Sequence, residues 1–193
     1  MSEATITGPD RKRVLIIYSS THGHTAKIAS NLAGTLRSNG LLVDVREVLE
    51  GAYVAPGAYD AIVAAASIHR GHHQKEMVEW VREHRRELNA KPNAFISVSL
   101  TAAEDTDEAI AETTRCIDEF KTETAWWPDR VEAVAGALQY REYDSFTRIF
   151  VKLLMKQGGH PTDSSRDHDF TDWKALHRLG DELAAQFSAV TSA

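Results

Sequence analysis

The segment from Val14 to Thr25, VLIIYSSTHGHT, constrains the fold of this chain more than any other. Its apolar first half, rich in β-branched residues, predicts a strand, and a helical spacing of apolar residues follows the polar second half at once. Strand, loop and helix in direct succession bring hydroxyl groups and backbone N–H groups together at a helix N-terminus. A glycine in the middle of the loop, Gly23, lets the backbone curl inward. Such a loop is typical of phosphate binding.

The hydrogen-bond donors of this loop are neutral, which limits the phosphate-containing ligands that it is expected to bind. Neither Lys nor Arg occurs between Ser19 and Thr25, and the nucleotide motifs G-x-x-x-x-G-K-[ST] and G-x-G-x-x-G are absent from it. We therefore expect a terminal monophosphate rather than a nucleoside triphosphate or a dinucleotide.

Composition sets the class of protein. With 193 residues and a formal net charge of −6, the chain predicts one globular domain, residues 13–188, behind a flexible tail, residues 1–12, and it disfavours nucleic acid as a partner. The single cysteine, Cys116, excludes an internal disulfide or an iron–sulfur cluster and is expected to be a buried, inert side chain. The absence of a signal sequence or a long apolar run predicts a cytoplasmic location.

Strand and helix patterns alternate along the whole chain. After the first strand, apolar runs predict four more strands, at 41–48, 61–67, 93–100 and 131–138. The helix before the last of them is expected to turn Ile110, Thr113, Ile117 and Phe120 inward. Alternation with short loops predicts an α/β fold, a doubly wound five-stranded parallel sheet with helices on both faces.

In such sheets, ligands bind outside the carboxyl ends of the strands. The loop 19–25, the loop 67–73 and the loop 99–107 all leave the predicted sheet at that edge. Together they predict a site for a planar, phosphorylated cofactor.

The segment Ser20 to Thr25, STHGHT, resembles the [ST]-T-x-G-x-T phosphate loop of flavodoxins and stands, as in that fold, directly after the first strand. The resemblance implies FMN as cofactor and the strand order 2-1-3-4-5. It implies that hydroxyls and backbone amides of the loop contact the FMN phosphate, namely those of Ser20, Thr21, His22, Gly23, His24 and Thr25. It also implies that two further loops flank the isoalloxazine ring: Ser67, Ile68, His69, Arg70 and Gly71 in one, and Ser99, Leu100 and Thr101 in the other.

A more specific resemblance lies downstream. The segments Trp127-Pro128-Asp129-Arg130, Ala135-Gly136-Ala137-Leu138 and Thr171-Asp172-Trp173 are similar to the menaquinone-dependent protoporphyrinogen IX dehydrogenases, the flavodoxin-like branch of haem biosynthesis. This likeness implies oxidation of a porphyrinogen substrate, with electrons passed through FMN to a quinone. The alternatives are a flavodoxin-type electron carrier between protein partners, an NAD(P)H-dependent quinone reductase, and an interaction domain without cofactor.

An insert at about 139–169 interrupts the fifth strand, as in long-chain flavodoxins. A helix is predicted at 144–157, with apolar residues around about two-thirds of its circumference and a basic stripe of Arg148, Lys152 and Lys156. At about 20 Å it is too short to cross a hydrocarbon core of about 30 Å. It lies either in the membrane interface or against the domain or a second subunit, as in a homo-oligomer. Tyr140, just after the strand, is a candidate substrate contact, with a surface loop as the alternative.

Five histidines, His22, His24, His69, His72 and His73, fall on the predicted ligand loops. A metal site is disfavoured, because no Cys or carboxylate partners occur at the spacing that zinc or iron sites use. We expect solvated loop histidines, and we take His69 and His72 as the candidates for accepting a proton from the substrate.

Overall fold

The computed structural model describes residues 11–49, 54–138 and 168–189. The predicted helix at 144–157, with Tyr140, Arg148, Lys152 and Lys156, lies outside the described residues, as do residues 1–10 of the predicted tail. None of the helices in the described ranges is long and apolar enough to span a membrane.

Five parallel strands form the central sheet: β1 (Arg13–Ser19), β2 (Leu42–Glu47), β3 (Ala61–His69), β5 (Asn93–Ser99) and β6 (Arg130–Ala135). Their order is β2-β1-β3-β5-β6, and a two-residue strand, β4 (His72–His73), pairs with the end of β3. Without β4 this is the order 2-1-3-4-5, so the predicted fold and strand order are confirmed.

Helices cover both faces of the sheet. These are α1 (His24–Ser38), α2 (Lys75–Asn89), α3 (Asp107–Thr124) and α4 (Trp173–Ala189). Alternate residues of β1 point to opposite faces, so Val14 and Ile16 pack with α1 and α4, whereas Leu15 and Ile17 pack with α2 and α3. Each face therefore has its own apolar core, as the alternating pattern predicts.

One predicted core position on α3 is wrong. Ile110 is 52% exposed, whereas Cys116, Ile117 and Phe120 are buried as expected. The buried face of α3 passes through Ala109 at that turn and continues through Thr113 and Cys116, so the neighbouring Ile110 lies outside it.

The fifth strand is also shorter than predicted. It ends at Ala135, and the N–H of the next residue, Gly136, donates the last hydrogen bond of the β5–β6 ladder to the Ser99 carbonyl at 2.9 Å. Two short antiparallel strands follow, β7 (Ala137–Leu138) and β8 (His168–Asp169). They bring the two ends of the segment 139–167 together.

The predicted loop after β3 is a tight hairpin. Arg70 and Gly71 form its two-residue turn with φ values of +52° and +83°, which is the left-handed pair that a type I′ turn requires. The hairpin places His73 in the core, 7% exposed, against the rings of Phe95 and Phe120. Its Nε2 shares a 2.9 Å hydrogen bond with Ser97 Oγ. The prediction of a solvated loop histidine is therefore wrong for His73.

Burial lowers the pKa of His73 to about 4, against the backbone hydrogen bond at Cys116 that raises it. In the unfolded chain the His73 ring takes up a proton below about pH 6.5, whereas in the folded chain it stays neutral down to about pH 4. The fold is therefore fully stable with respect to this group above pH 6.5 and loses stability as the pH falls towards 4. Between about pH 7.5 and about pH 5 we expect His73 to cost the fold about 2 kcal/mol. Urea denaturation of the wild type and of His73→Gln measures the difference. The exposed histidine variant His177→Gln serves as the control, and an equal pH dependence in all three proteins would contradict the assignment.

A close helix contact joins α1 and α4 at Gly180. A Cβ at this position would lie 2.6 Å from Thr35 Cγ2 and 2.8 Å from Thr35 Cβ, both on the buried side of α1. Only a glycine lets the two helices approach this closely.

We expect Gly180→Ala to lower the free energy of unfolding by about 1–3 kcal/mol, because the added methyl overpacks the contact. Gly34→Ala is the matched control, since Gly34 is an exposed helical glycine with nothing within 4 Å of its Cβ position. That change should raise stability by up to about 1 kcal/mol through helix propensity alone. Chemical denaturation measures both, and the same sign for the two variants would disprove the close contact.

Candidate functional site

Three loops meet at the carboxyl edge of the sheet. They follow β1, β3 and β5, which are direct neighbours in the strand order. Ser19 at the end of β1 pairs with Ala66, and Ser67 in β3 pairs with Val98. The three groups of residues predicted to bind the cofactor thus leave the sheet side by side.

The loop after β1 has the shape of an anion cradle. Gly23 precedes α1 with φ +81°, and no side chain caps the helix there. The Gly23 carbonyl accepts from the Lys27 N–H at 3.1 Å, so the N–H groups of the first turn have no intrahelical acceptor. A Cβ at Gly23 would meet nothing within 4 Å, which shows open space on that side of the Gly23 backbone. Helix geometry and space together fit a phosphate group.

The side chains of this loop differ in exposure. Thr21 and His22 are exposed, Ser20 and His24 are half-buried, and Thr25 is 1% exposed. The hydroxyls of Ser20 and Thr21 are therefore the accessible ones. His24, expected as a solvated loop histidine, instead begins α1 with a side chain that is 11% exposed.

Gln74 is a site residue that the sequence analysis missed. It stands immediately before α2, and its amide bridges the first two loops. Its Oε1 accepts from Ser19 Oγ at 2.9 Å, and its Nε2 donates to Thr21 Oγ1 at 3.2 Å and to Ser67 Oγ. A donor on Thr21 Oγ1 leaves the threonine hydrogen available for an acceptor such as phosphate.

The loop after β5 is shaped by its own hydroxyls. Ser99 Oγ and Thr101 Oγ1 share a 3.0 Å hydrogen bond, and Thr101 also contacts Thr113 Oγ1 of α3 at 3.0 Å. Ser99 Oγ accepts from the Ala102 N–H, which closes a short 3-10 turn at Thr101–Ala103. Leu100, between them, is half-buried. The loop therefore has a fixed shape, held by its own hydrogen bonds and by α3.

The β3–β4 turn is attached to α3 through Cys116. Its thiol donates to the Gly71 carbonyl at 3.1 Å, and burial raises the pKa of this thiol, which keeps the proton in place. The turn that carries Arg70 and Gly71 is thus held from behind by a buried side chain.

The two candidate proton acceptors face different surroundings. The ring of His69 lies 6.4 Å from that of His22 on the first loop. The ring of His72 is exposed and lies 3.5 Å from the Glu119 carboxylate on α3. Within the described ranges, no group of three His, Cys, Asp or Glu side chains could hold a metal ion.

A second polar network holds the start of α1, and it is formed with Thr171 and Asp169 from the chain just before α4. His24 Nε2 lies 2.8 Å from Thr171 Oγ1 and 3.7 Å from Asp169 Oδ1. Burial lowers the pKa of His24, against the Asp169 carboxylate, which raises it. Burial alone would raise the pKa of Asp169, but hydrogen bonds from Lys27 and Thr171 bring it below its ordinary value. Asp169 is therefore ionised and paired with Lys27 Nζ at 2.7 Å.

Comparison with known proteins agrees with this geometry. The family model described as Flavodoxin domain matches residues 15–165. Among solved structures, flavodoxin 1 from Bacillus cereus superposes with a TM-score of 0.55 at 13% identity, covering 93% of this chain and 99% of that one. A flavodoxin from the domain Archaea gives 0.51 at 17% identity, covering 91% and 99%. These two likenesses support the fold alone.

Similarity in sequence goes further. The protoporphyrinogen IX dehydrogenase (quinone) of Escherichia coli strain K12 is 35% identical over 172 residues, which cover 89% of this chain and 94% of that protein. The protein of the same name from Leishmania major is 34% identical over 174 residues, covering 90% and 75%. The chain therefore belongs to the flavodoxin-domain family, in the branch that contains the protoporphyrinogen IX dehydrogenases (quinone).

Proposed function

We propose that this protein is an FMN-dependent oxidoreductase that converts protoporphyrinogen IX to protoporphyrin IX and passes the electrons to a quinone. The observation that carries the proposal is the 34–35% identity, over about nine-tenths of the chain, to proteins with that name. The open cradle at Gly23, beside two further loops at the same edge of the sheet, supports it independently.

The residues present fit FMN. The hydroxyls of Ser20 and Thr21 and the backbone N–H groups at the start of α1 would hold the phosphate. Lys27 is already paired with Asp169, so the positive end of the α1 dipole and neutral donors would balance the phosphate charge. The ring would lie between the segment Ser67–Gly71, which is the end of β3 and its turn, and the segment Ser99–Thr101.

Bound FMN would supply the two-electron redox chemistry, and three such oxidations convert the porphyrinogen to the porphyrin. The chain itself would orient the substrate and accept protons. We propose His69 and His72 for the proton transfer, because both flank the turn at Arg70–Gly71. The predicted basic, apolar helix at 144–157 would give access to a quinone dissolved in the membrane, with Tyr140 as a substrate contact.

The cradle makes a direct prediction. Gly23→Val should abolish FMN binding, because the side chain would enter the open space proposed for the phosphate and displace the left-handed backbone. Gly40→Val is the matched control, since Gly40 has φ +88°, open space around its Cβ position and a place at the far end of α1. Both variants should lose similar stability from backbone strain, about 1–3 kcal/mol, but only the first should lose FMN in a fluorescence titration. Wild-type FMN affinity in Gly23→Val would refute the cradle.

The reaction itself is tested by anaerobic mixing of the FMN-loaded protein with protoporphyrinogen IX, followed by a menaquinone analogue. We expect the flavin absorbance to fall as porphyrin fluorescence appears, and to recover when the quinone is added. Firm FMN binding without any change on adding the porphyrinogen would contradict the proposed substrate. A fall of flavin absorbance on adding NADPH instead would identify the NAD(P)H-dependent reductase.

A further inference from the structure

The imidazole of His24 has no role in the proposed FMN contacts, in which this residue supplies only a backbone N–H. Yet its side chain is nearly buried and makes a specific contact. Nε2 lies 2.8 Å from Thr171 Oγ1, and the ring packs edge-on against Trp173 with centroids 6.0 Å apart. A buried imidazole with a short hydrogen bond holds the start of α1 in a defined position.

The direction of this hydrogen bond follows from the partners of Thr171. Its hydroxyl donates to the Ala135 carbonyl at 2.7 Å, so the threonine hydrogen is already used. The oxygen must then accept from His24, which places a proton on Nε2 whether the ring is neutral or charged. The three groups form a chain of hydrogen bonds from His24 through Thr171 to the backbone of Ala135.

The acceptor end of this chain is rigid. Ala135 is the last residue of β6, and the following Gly136 donates to the Ser99 carbonyl at 2.9 Å. Thr171 itself is fixed by its own N–H, which donates to Asp169 Oδ1 at 3.1 Å. His24 thus connects the start of α1 to the end of β6 and to the loop after β5.

The charges around the start of α1 explain why the position of His24 would affect phosphate binding. Lys27, the basic residue at the start of α1, is bound by Asp169 at 2.7 Å, and its Nζ lies 4.6 Å from the ring centre of Trp173. Phosphate affinity would then depend on the direction of the α1 N–H groups rather than on a mobile positive charge. The side chain of His24, the first residue of α1, joins that first turn to Thr171.

We propose that His24 is a positioning residue for the cofactor phosphate: the hydrogen bond from its Nε2–H to Thr171 aligns the first turn of α1 with the phosphate. The inference rests on the proposed FMN binding. If the inference is correct, changing His24 should weaken binding of the phosphate group and not of the flavin ring, because the side chain supports only the part of the site that would hold the phosphate. FMN and riboflavin, which differ only by the phosphate, are therefore the probes.

The test compares dissociation constants of the full-length apoprotein for FMN and for riboflavin by flavin fluorescence. His24→Leu should weaken FMN binding about 5- to 10-fold, the value of one net hydrogen bond, while riboflavin affinity changes less than about 2-fold. Thr171→Val should have the same effect, and the double variant should be no weaker than either single one.

Conservative variants separate positioning from simple packing. His24→Gln keeps a donor near the place of Nε2 and should restore most of the FMN affinity, whereas the shorter His24→Asn should not. These two polar variants keep the test decisive if His24→Leu fails to fold. His177→Gln, which removes the exposed histidine paired with Asp181, should leave both affinities unchanged.

Equal loss of FMN and riboflavin affinity in His24→Leu, or identical behaviour of His24→Gln and His24→Asn, would overturn the inference and leave FMN binding standing. A wild-type protein that binds riboflavin as tightly as FMN would overturn the phosphate cradle itself, and with it the proposed role of His24.

Discussion

The left-handed backbone at Gly23 is the constraint on which the site depends. It turns the chain from β1 into α1 without a side-chain cap, so the first N–H groups of the helix have no side-chain acceptor at the cap, and the position of a Gly23 Cβ is open. The strand order then places the ends of β3 and β5 beside that turn. These two features bring the start of α1 and the ends of the neighbouring strands together, where we propose that the phosphate binds, in an acidic protein whose net charge is −6.

Neutral hydrogen bonds hold this edge from two sides. On one side, Gln74 connects Ser19 and Thr21 to Ser67, and on the other, His24 reaches Thr171 and the end of β6. The nearby charges of Lys27 and Asp169 form an ion pair with each other. We propose that a site arranged this way binds the phosphate through the direction of its donors, and that the bound cofactor would supply the redox chemistry.

The sequence predicted the alternation of strands and helices and both apolar faces, because these depend on local periodicity. The strand order followed from the resemblance of Ser20–Thr25 to the flavodoxin loop, and phosphate binding by that loop stays a prediction. The sequence did not predict Gln74 or Thr171, whose contacts with Thr21 and His24 join residues 53 and 147 positions apart. Nor did it predict the burial of His73, since a polar residue after a loop carries no signal that a hairpin with Arg70 at φ +52° will fold it inward. The prediction for Ile110 was wrong for another reason: the helical period is right, but at that turn the small Ala109 occupies the buried face instead.

The central claim is that FMN binds at the carboxyl edge formed by the loops after β1, β3 and β5. Amide chemical shifts of the ¹⁵N-labelled protein, followed during addition of FMN, test it residue by residue. Saturation at one FMN per chain, with the largest shifts at Gly23, His24, Gly71 and Thr101, is the expected result. Unchanged amides there, or shifts concentrated at the opposite edge near Gly57 and Trp127, would contradict it.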